Sequence, residues 1–255
     1  MLIGWDNKAD AAALSASSEQ ASLPGSNVQQ PHLSRKWYTA TGVKSAALTL
    51  DLGASLSCGM LAVLGTNFTS AATLRLRASD ADSTAVAGDK LDTGTVSANV
   101  KDGYGVIYKS FAAVAARYWR ADLADASVPD NLRVGRLFLG PKWAPAVGMD
   151  YGWAPIVDDP SKMVESYGGQ SHPEILPQRR GLQFTLSWMT EAEAYDNAHV
   201  LARACGVVKD MLAIPLETGS RISEQAVWGM MTALAPIFHK YSQIWIQKFE
   251  IKERL

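Results

Sequence analysis

Ala47-Leu48-Thr49-Leu50-Asp51-Leu52-Gly53 is the stretch whose reading decides the fold. Three leucines fall on one side of a two-residue period, with Thr49 and Asp51 on the other, which predicts a half-buried strand ended by a glycine. Working outward, Met60 to Leu64 is a continuous apolar run suited to a strand buried on both faces, and Gly65-Thr66-Asn67 after it is turn-prone. Leu74-Arg75-Leu76-Arg77 alternates again. So does Arg117-Tyr118-Trp119-Arg120-Ala121-Asp122-Leu123, which sets Trp119, Ala121 and Leu123 opposite Tyr118, Arg120 and Asp122. Gly103-Tyr104-Gly105 reads as a hairpin turn. Ala9 to Leu14 is the one early helical pattern, and it is short. Short extended segments from Trp37 to Arg136, parted by Gly, Asp, Asn and Ser, predict an antiparallel sandwich rather than βαβ units.

From Gly140 to Pro177 the texture changes to Pro, Gly, Trp and Tyr with little periodicity, as in Pro141-Lys142-Trp143-Ala144-Pro145 and Tyr151-Gly152-Trp153-Ala154-Pro155. So long a loop is unusual inside one compact domain. Residues 141–177 therefore read as a linker or arm between a first domain, 1–140, and a second, 178–255, with Trp143 and Trp153 as candidate intersubunit anchors or as cover for the domain junction. The second domain opens on Leu182, Phe184, Leu186 and Trp188 alternating with Gln183, Thr185 and Ser187, a strand with one buried face. Thr190-Glu191-Ala192-Glu193 follows as a capping box. It predicts a helix over 190–205 that buries Ala194, Ala198, Leu201 and Cys205 and stops at Gly206. Three further strand patterns, Met211 to Leu216, Ala226 to Leu234 and Ser242 to Ile251, complete an antiparallel sheet with one main helix.

The 255 residues are 47% hydrophobic, with 24 basic against 25 acidic side chains. That supplies a core for each domain and leaves no electrostatic footprint for nucleic acid. No run approaches the roughly 20 apolar residues of a membrane span, and the first residues lack the pattern of a secretory signal, so the mature protein is expected to be soluble and made in the cytosol. Cys58 and Cys205 fall in different domains and read as two small buried hydrophobes. No metal-ligand spacing links His32, His172, His199 and His239, and nucleophile-elbow and phosphate-loop patterns are missing. Asp80 and Asp82, Asp89 and Asp92, and Asp122 and Asp125 read as solvated turns rather than calcium ligands. The sequence thus calls for no catalytic residue, metal or cofactor. Arg35, Trp37 and Tyr38 sit before the first clear strand, where a sandwich places its end loops. An Arg beside aromatic faces suits a sugar or partner surface; alternatively Trp37 plugs the sandwich.

His32-Leu33-Ser34-Arg35-Lys36-Trp37, Ala47 to Gly53, Leu61 to Thr69, Ala72 to Arg77, Arg117 to Arg120 and Gly135 to Gly140, in that order, resemble the discoidin-like jelly rolls of tail proteins of long-tailed bacteriophages. The second half is similar in layout to the ring domain of phage distal tail proteins, although better-known members place that domain first. The resemblance implies a mainly β chain, a discoidin-like β-sandwich followed by an α+β domain. It also implies a non-enzymatic virion protein of the tail tip, assembled in the host cytoplasm. Its expected partners are further copies of itself in a ring of six, together with tail-tube and tail-tip hub proteins. The alternative is an adsorption module that binds host surface glycans.

Overall fold

The computed structural model describes residues 1–98, 100, 106–218 and 221–254. Gly103-Tyr104-Gly105 lies outside them. The chain is mainly β, as the alternating leucines predict, and divides into two compact units. One takes residues 2–143 with 214–226; the other takes Met1, 144–213 and 227–255.

The described residues of the first unit form β1 (Leu2–Gly4), β2 (Ala13–Ala16), β3 (Trp37–Tyr38), β4 (Ser45–Leu64), β5 (Thr73–Ser79), β6 (Leu91–Asp92), β7 (Val96–Ser97), β8 (Ile107–Ala124), β9 (Arg133–Val134) and β10 (Arg136–Gly140). An antiparallel sheet runs β10-β4-β8-β5-β6, with β2 on β4 and β7 on β5, while β3 pairs with β9. At 20 and 18 residues, β4 and β8 are far longer than ordinary strands of about five or six. Their pairing runs Leu48↔Ala121 and Leu50↔Trp119, then breaks between Asp51 and Leu56 and again between Cys58 and Met60. Such breaks bend and twist a strand, so one pair serves both layers of a sandwich of jelly-roll type.

The first break is held by charge. Gly53 sits there at φ 75, a conformation open to glycine, and its N–H donates to Asp51 Oδ1 at 2.8 Å. Arg117, facing the break from β8, grips Asp51 with two hydrogen bonds of 2.8 Å, Nε to Oδ1 and Nη2 to Oδ2. The Arg117 hydrogen bond, followed by that from Gly53, lowers the Asp51 carboxyl to about 2. The alternation read from sequence holds on either side: Leu48, Leu50, Leu74, Leu76, Trp119, Ala121 and Leu123 are all in one core, and Met60 to Leu64 are buried throughout. Where Ala9 to Leu14 suggested a helix, a 3-10 turn (Lys8–Ala11) gives way to β2. Gly140 closes β10 where a Cβ would collide with the Asp6 carbonyl oxygen.

The second unit contains β11 (Ala154–Asp158), β12 (Lys162–Glu165), β13 (Ser171–Glu174), β14 (Arg179–Met189), β15 (Met211–Ile214), β16 (Val227–Met231), β17 (Phe238–Tyr241) and β18 (Ile244–Glu253). Its antiparallel sheet runs β15-β16-β18-β14-β11, with β17 on β18. Phe184 pairs with Phe249 and stacks on it at 5.0 Å. The Thr190 capping box forms in both directions, Thr190 N–H to Glu193 Oε2 at 3.0 Å and Glu193 N–H to Thr190 Oγ1 at 3.2 Å. The helix it starts is π-helical over Glu193–His199 and α-helical in α1 (Val200–Cys205); it buries Ala194, Ala198, Leu201 and Cys205 and ends at Gly206 with φ 55.

Three findings differ from the sequence-based expectation. Residues 154–158 are paired along their whole length with β14, which lies beyond the segment, and 162–174 hold the local β12–β13 hairpin, so much of 141–177 is strand rather than linker. Residues 214–226 belong to the first unit, where the Tyr108 hydroxyl donates to the Glu217 carbonyl oxygen at 2.8 Å. Trp188 is 55% exposed, and Met189 lies buried at the position expected of it. The cause is a shift in the β14–β18 register between Leu186 and Met189, an extra residue that turns the strand over. Met189→Ala is therefore expected to cost about 2–5 kcal/mol and Trp188→Ala no more than about 0.5 kcal/mol, as chemical denaturation would read; a larger loss at Trp188 would restore the plain alternation.

Candidate functional site

The two residues of β3 separate the roles that sequence assigned to Arg35, Trp37 and Tyr38. In a strand, neighbours point to opposite sides. Trp37 is fully buried and donates its indole N–H to the Ser18 carbonyl oxygen at 3.0 Å, so it plugs the sandwich. Tyr38 points the other way and is half-buried. Arg35 is exposed on a turn closed by its own N–H to the His32 carbonyl oxygen at 3.2 Å.

The β3–β9 ladder sets Tyr38 directly across from Arg133, and the Arg133 guanidinium lies over the Tyr38 ring, 4.8 Å from its centre. Asn131 holds that guanidinium from behind, and Asn67 holds the Arg133 backbone. The Arg133 N–H donates to Asn67 Oδ1 at 2.8 Å and its Nε–H to Asn131 Oδ1 at 3.2 Å, while Asn67 Nδ2 donates to the Asn131 carbonyl oxygen at 2.8 Å. Asn131 is itself buried and reaches the Thr39 carbonyl oxygen at 3.4 Å. The two terminal nitrogens of Arg133 make no hydrogen bond among the described residues, which leaves a planar set of donors held on an aromatic face. Burial, and then the charge of Arg133, holds the Lys36 ammonium below the ordinary lysine range. Arg35, Lys36 and Arg133 make this end cationic. The pattern that sequence missed was Asn67, Asn131 and Arg133, because each is a loop or strand-end residue whose meaning depends on a neighbour about 65 positions or more away.

Trp143 and Trp153 are placed differently. Trp143 is only 5% exposed, exchanges backbone hydrogen bonds of 2.8 Å with Ile3 and meets Trp5 edge to face at 6.3 Å. Its ring is spent inside the first unit and offers a neighbouring subunit no surface. Trp153 is half-buried. Of the acidic pairs, Asp82 organises a turn by accepting from Thr84 and Ala87, and Asp125, although buried, accepts from Thr69 and Ser127. Among the described residues, no three His, Cys, Asp or Glu side chains are grouped to hold a metal, and no helix is long and apolar enough to cross a membrane. Burial pushes the Cys58 thiol up to about 12.

No protein-family model matches the chain, and no curated protein matches it. Solved structures do. A chitosan-binding module of a chitosanase/glucanase from Paenibacillus sp. IK-5 aligns with 52% of this chain and 98% of its own at 20% identity and TM-score 0.41. A family 32 carbohydrate-binding module of Clostridium perfringens NanJ, solved with galactose, aligns with 55% and 99% at 15% identity and TM-score 0.43. A Ruminococcus gnavus GH29 fucosidase aligns with 54% of this chain but 27% of its own, at 13% identity and TM-score 0.44. At such similarity no function passes from them to this chain.

The burial of Trp37 and the exposure of Arg35 have a direct test. Trp37→Ala should lose about 3–5 kcal/mol of stability, and Arg35→Ala should stay within about 0.5 kcal/mol; equal effects in chemical denaturation would contradict the placement of Trp37.

Proposed function

We propose that this protein is a non-catalytic recognition protein that binds carbohydrate at the Tyr38–Arg133 end of its first unit. The observation that carries the reading is the Arg133 guanidinium, held on the Tyr38 ring by Asn131, with Asn67 anchoring the backbone of the same residue and the terminal donors unused. Adjacent hydroxyls of a sugar, or its carboxylate or sulfate, accept two parallel N–H bonds from such a fork, and the half-exposed phenol edge covers the apolar face of the ring. Preorganisation matters here, because a guanidinium already ordered loses little freedom on binding. Arg35 and Lys36 add positive charge, which favours acidic over neutral glycans. A glycan array with the full chain, followed by calorimetry on the best ligand, tests the reading. Arg133→Ala should weaken binding about 10- to 100-fold, the equivalent of about 1.5–3 kcal/mol for a hydrogen bond to a charged group, with an unchanged circular dichroism spectrum. Wild-type affinity in that variant, or no glycan bound at all, overturns it.

A second reading, the ring-forming tail-tip subunit of a phage virion contacting tube and hub proteins, draws on the β12–β13 hairpin. Every strand residue of that hairpin is exposed, Met163 and Val164 included, and Tyr167 stands fully exposed at its turn. An exposed hairpin with apolar side chains is what a neighbouring subunit would cover. Light scattering on the purified chain should then give the mass of a closed ring, six copies by the phage resemblance, reduced to monomer by Tyr167→Ser with Met163→Ser; a monomer at high concentration ends this reading and leaves the glycan reading untouched.

A further inference from the structure

The second unit holds a pocket of about 450 Å³ to which nothing above gives a use. Tyr195 and His199 line it from the helix, Leu234 and Pro236 from the loop after β16, and Trp245 and Gln247 from β18. Local structure explains why these six meet. On β18, residues two apart share a face, and Trp245 and Gln247 pair with Met189 and Leu186, both buried. They therefore lie on the sheet face that carries the buried core, beyond Phe249 and Ile251. The π-helical stretch places Tyr195 and His199 four residues apart on one side, where Tyr195 meets Trp245 edge to face at 5.2 Å and His199 at 6.2 Å. His239, stacked on Trp245 at 4.4 Å, holds the indole in place.

Two features define what such a pocket accepts. Its walls are aromatic and aliphatic, with no Asp, Glu, Lys or Arg among the lining residues. A cationic ligand would find ring faces but no carboxylate to neutralise it, and an anion would find no cation. The second feature is Gln247, 2% exposed. Its Nε2 donates to the Ala235 carbonyl oxygen at 2.9 Å, which fixes the orientation of the amide, and its Oε1 has no donor among the described residues. A buried acceptor without a partner is destabilising, so a ligand that brings one N–H or O–H recovers part of that loss. A pyranose brings several hydroxyls and would strand most of them against apolar walls.

The geometry points to a binding site for an uncharged aromatic ring carrying a single hydrogen-bond donor, a phenol or an indole, with the ring against Tyr195 and Trp245 and the donor on Gln247 Oε1. Free phenols and indoles share this chemistry with the tyrosine and tryptophan side chains of a polypeptide. The site is independent of the glycan reading, since it lies in the other unit.

Saturation-transfer NMR on the full, unmodified chain tests it, with p-cresol, indole, 4-methylanisole and N-acetyltyrosinamide as probes. p-Cresol and indole should bind, and p-cresol should bind about 3- to 10-fold more tightly than 4-methylanisole, the worth of one net hydrogen bond. Equal affinity for the pair would mean that Gln247 accepts no hydrogen bond from the ligand. Binding of N-acetyltyrosinamide at or above the strength of p-cresol assigns the site to a polypeptide side chain, and weaker binding assigns it to free aromatics. Ala202→Trp, which fills the pocket from an accessible helix position, should abolish the signal of every probe. Signal retained in that variant, or absent from the unmodified chain at millimolar probe, overturns the inference.

Discussion

The pairing of β4 with β8 is the constraint on which the first unit depends. Two strands of this length cannot stay regular and also enclose a core, because a sheet must bend to close on itself. The chain solves this with four residues, Leu52 to Ser55, set against Arg117 alone, and a compensating excess on β8 between Val114 and Ser110. Each break would leave side chains on the wrong face if it were one residue longer or shorter. Asp51 and Arg117 sit at the first break and, with Gly53, set its geometry through directed hydrogen bonds rather than through burial. Everything inward of that pair, from Leu48 to Trp119, is apolar core.

Charge elsewhere follows the same division of labour. Arg77 and Arg120 both hold Asp122 in a partly buried cluster, and Arg75 holds Asp92 in the open on the solvent side of β5. Exposed pairs of this kind are worth little individually. Their use is positional, since they occupy the polar face of β5 and β8 with groups that cannot turn inward without stranding a charge. In the second unit the pairs are set deeper, with Arg180 holding the buried Glu253 and Arg254 the buried Asp210. Against this background Arg133 differs: its partners are neutral oxygens and a ring, so its charge is ordered without being cancelled.

What could be read from the sequence was what local physics decides. Leucine alternation from Leu48 to Leu52, the apolar run from Met60, and the Thr190–Glu193 box each specify an element without reference to the rest of the chain, and each is present. What could not be read was set by distant partners. Ile156 and Val157 form a strand because β14 offers an edge; Trp188 and Met189 exchange faces because β14 carries an extra residue against β18 there. The candidate sites divide in the same way. An arginine and a tyrosine near a sandwich end were visible, but the arginine that matters, Arg133, comes from β9, and Trp245 meets Tyr195 only through the folded sheet.

The chain order of the two units has a consequence for how the protein comes into being. Synthesis proceeds from the N-terminus, yet the first unit includes residues 214–226, which emerge after most of the second unit has been made, and the second unit includes 227–255, which emerge last. Neither unit has its full complement of residues when the ribosome passes the apparent boundary near residue 143. The two folding reactions are therefore interleaved in time, and an excised fragment such as 1–143 or 144–255 would carry a gap in one unit and a surplus segment in the other. A sequence that looks like beads on a string thus encodes two units whose segments alternate along the chain.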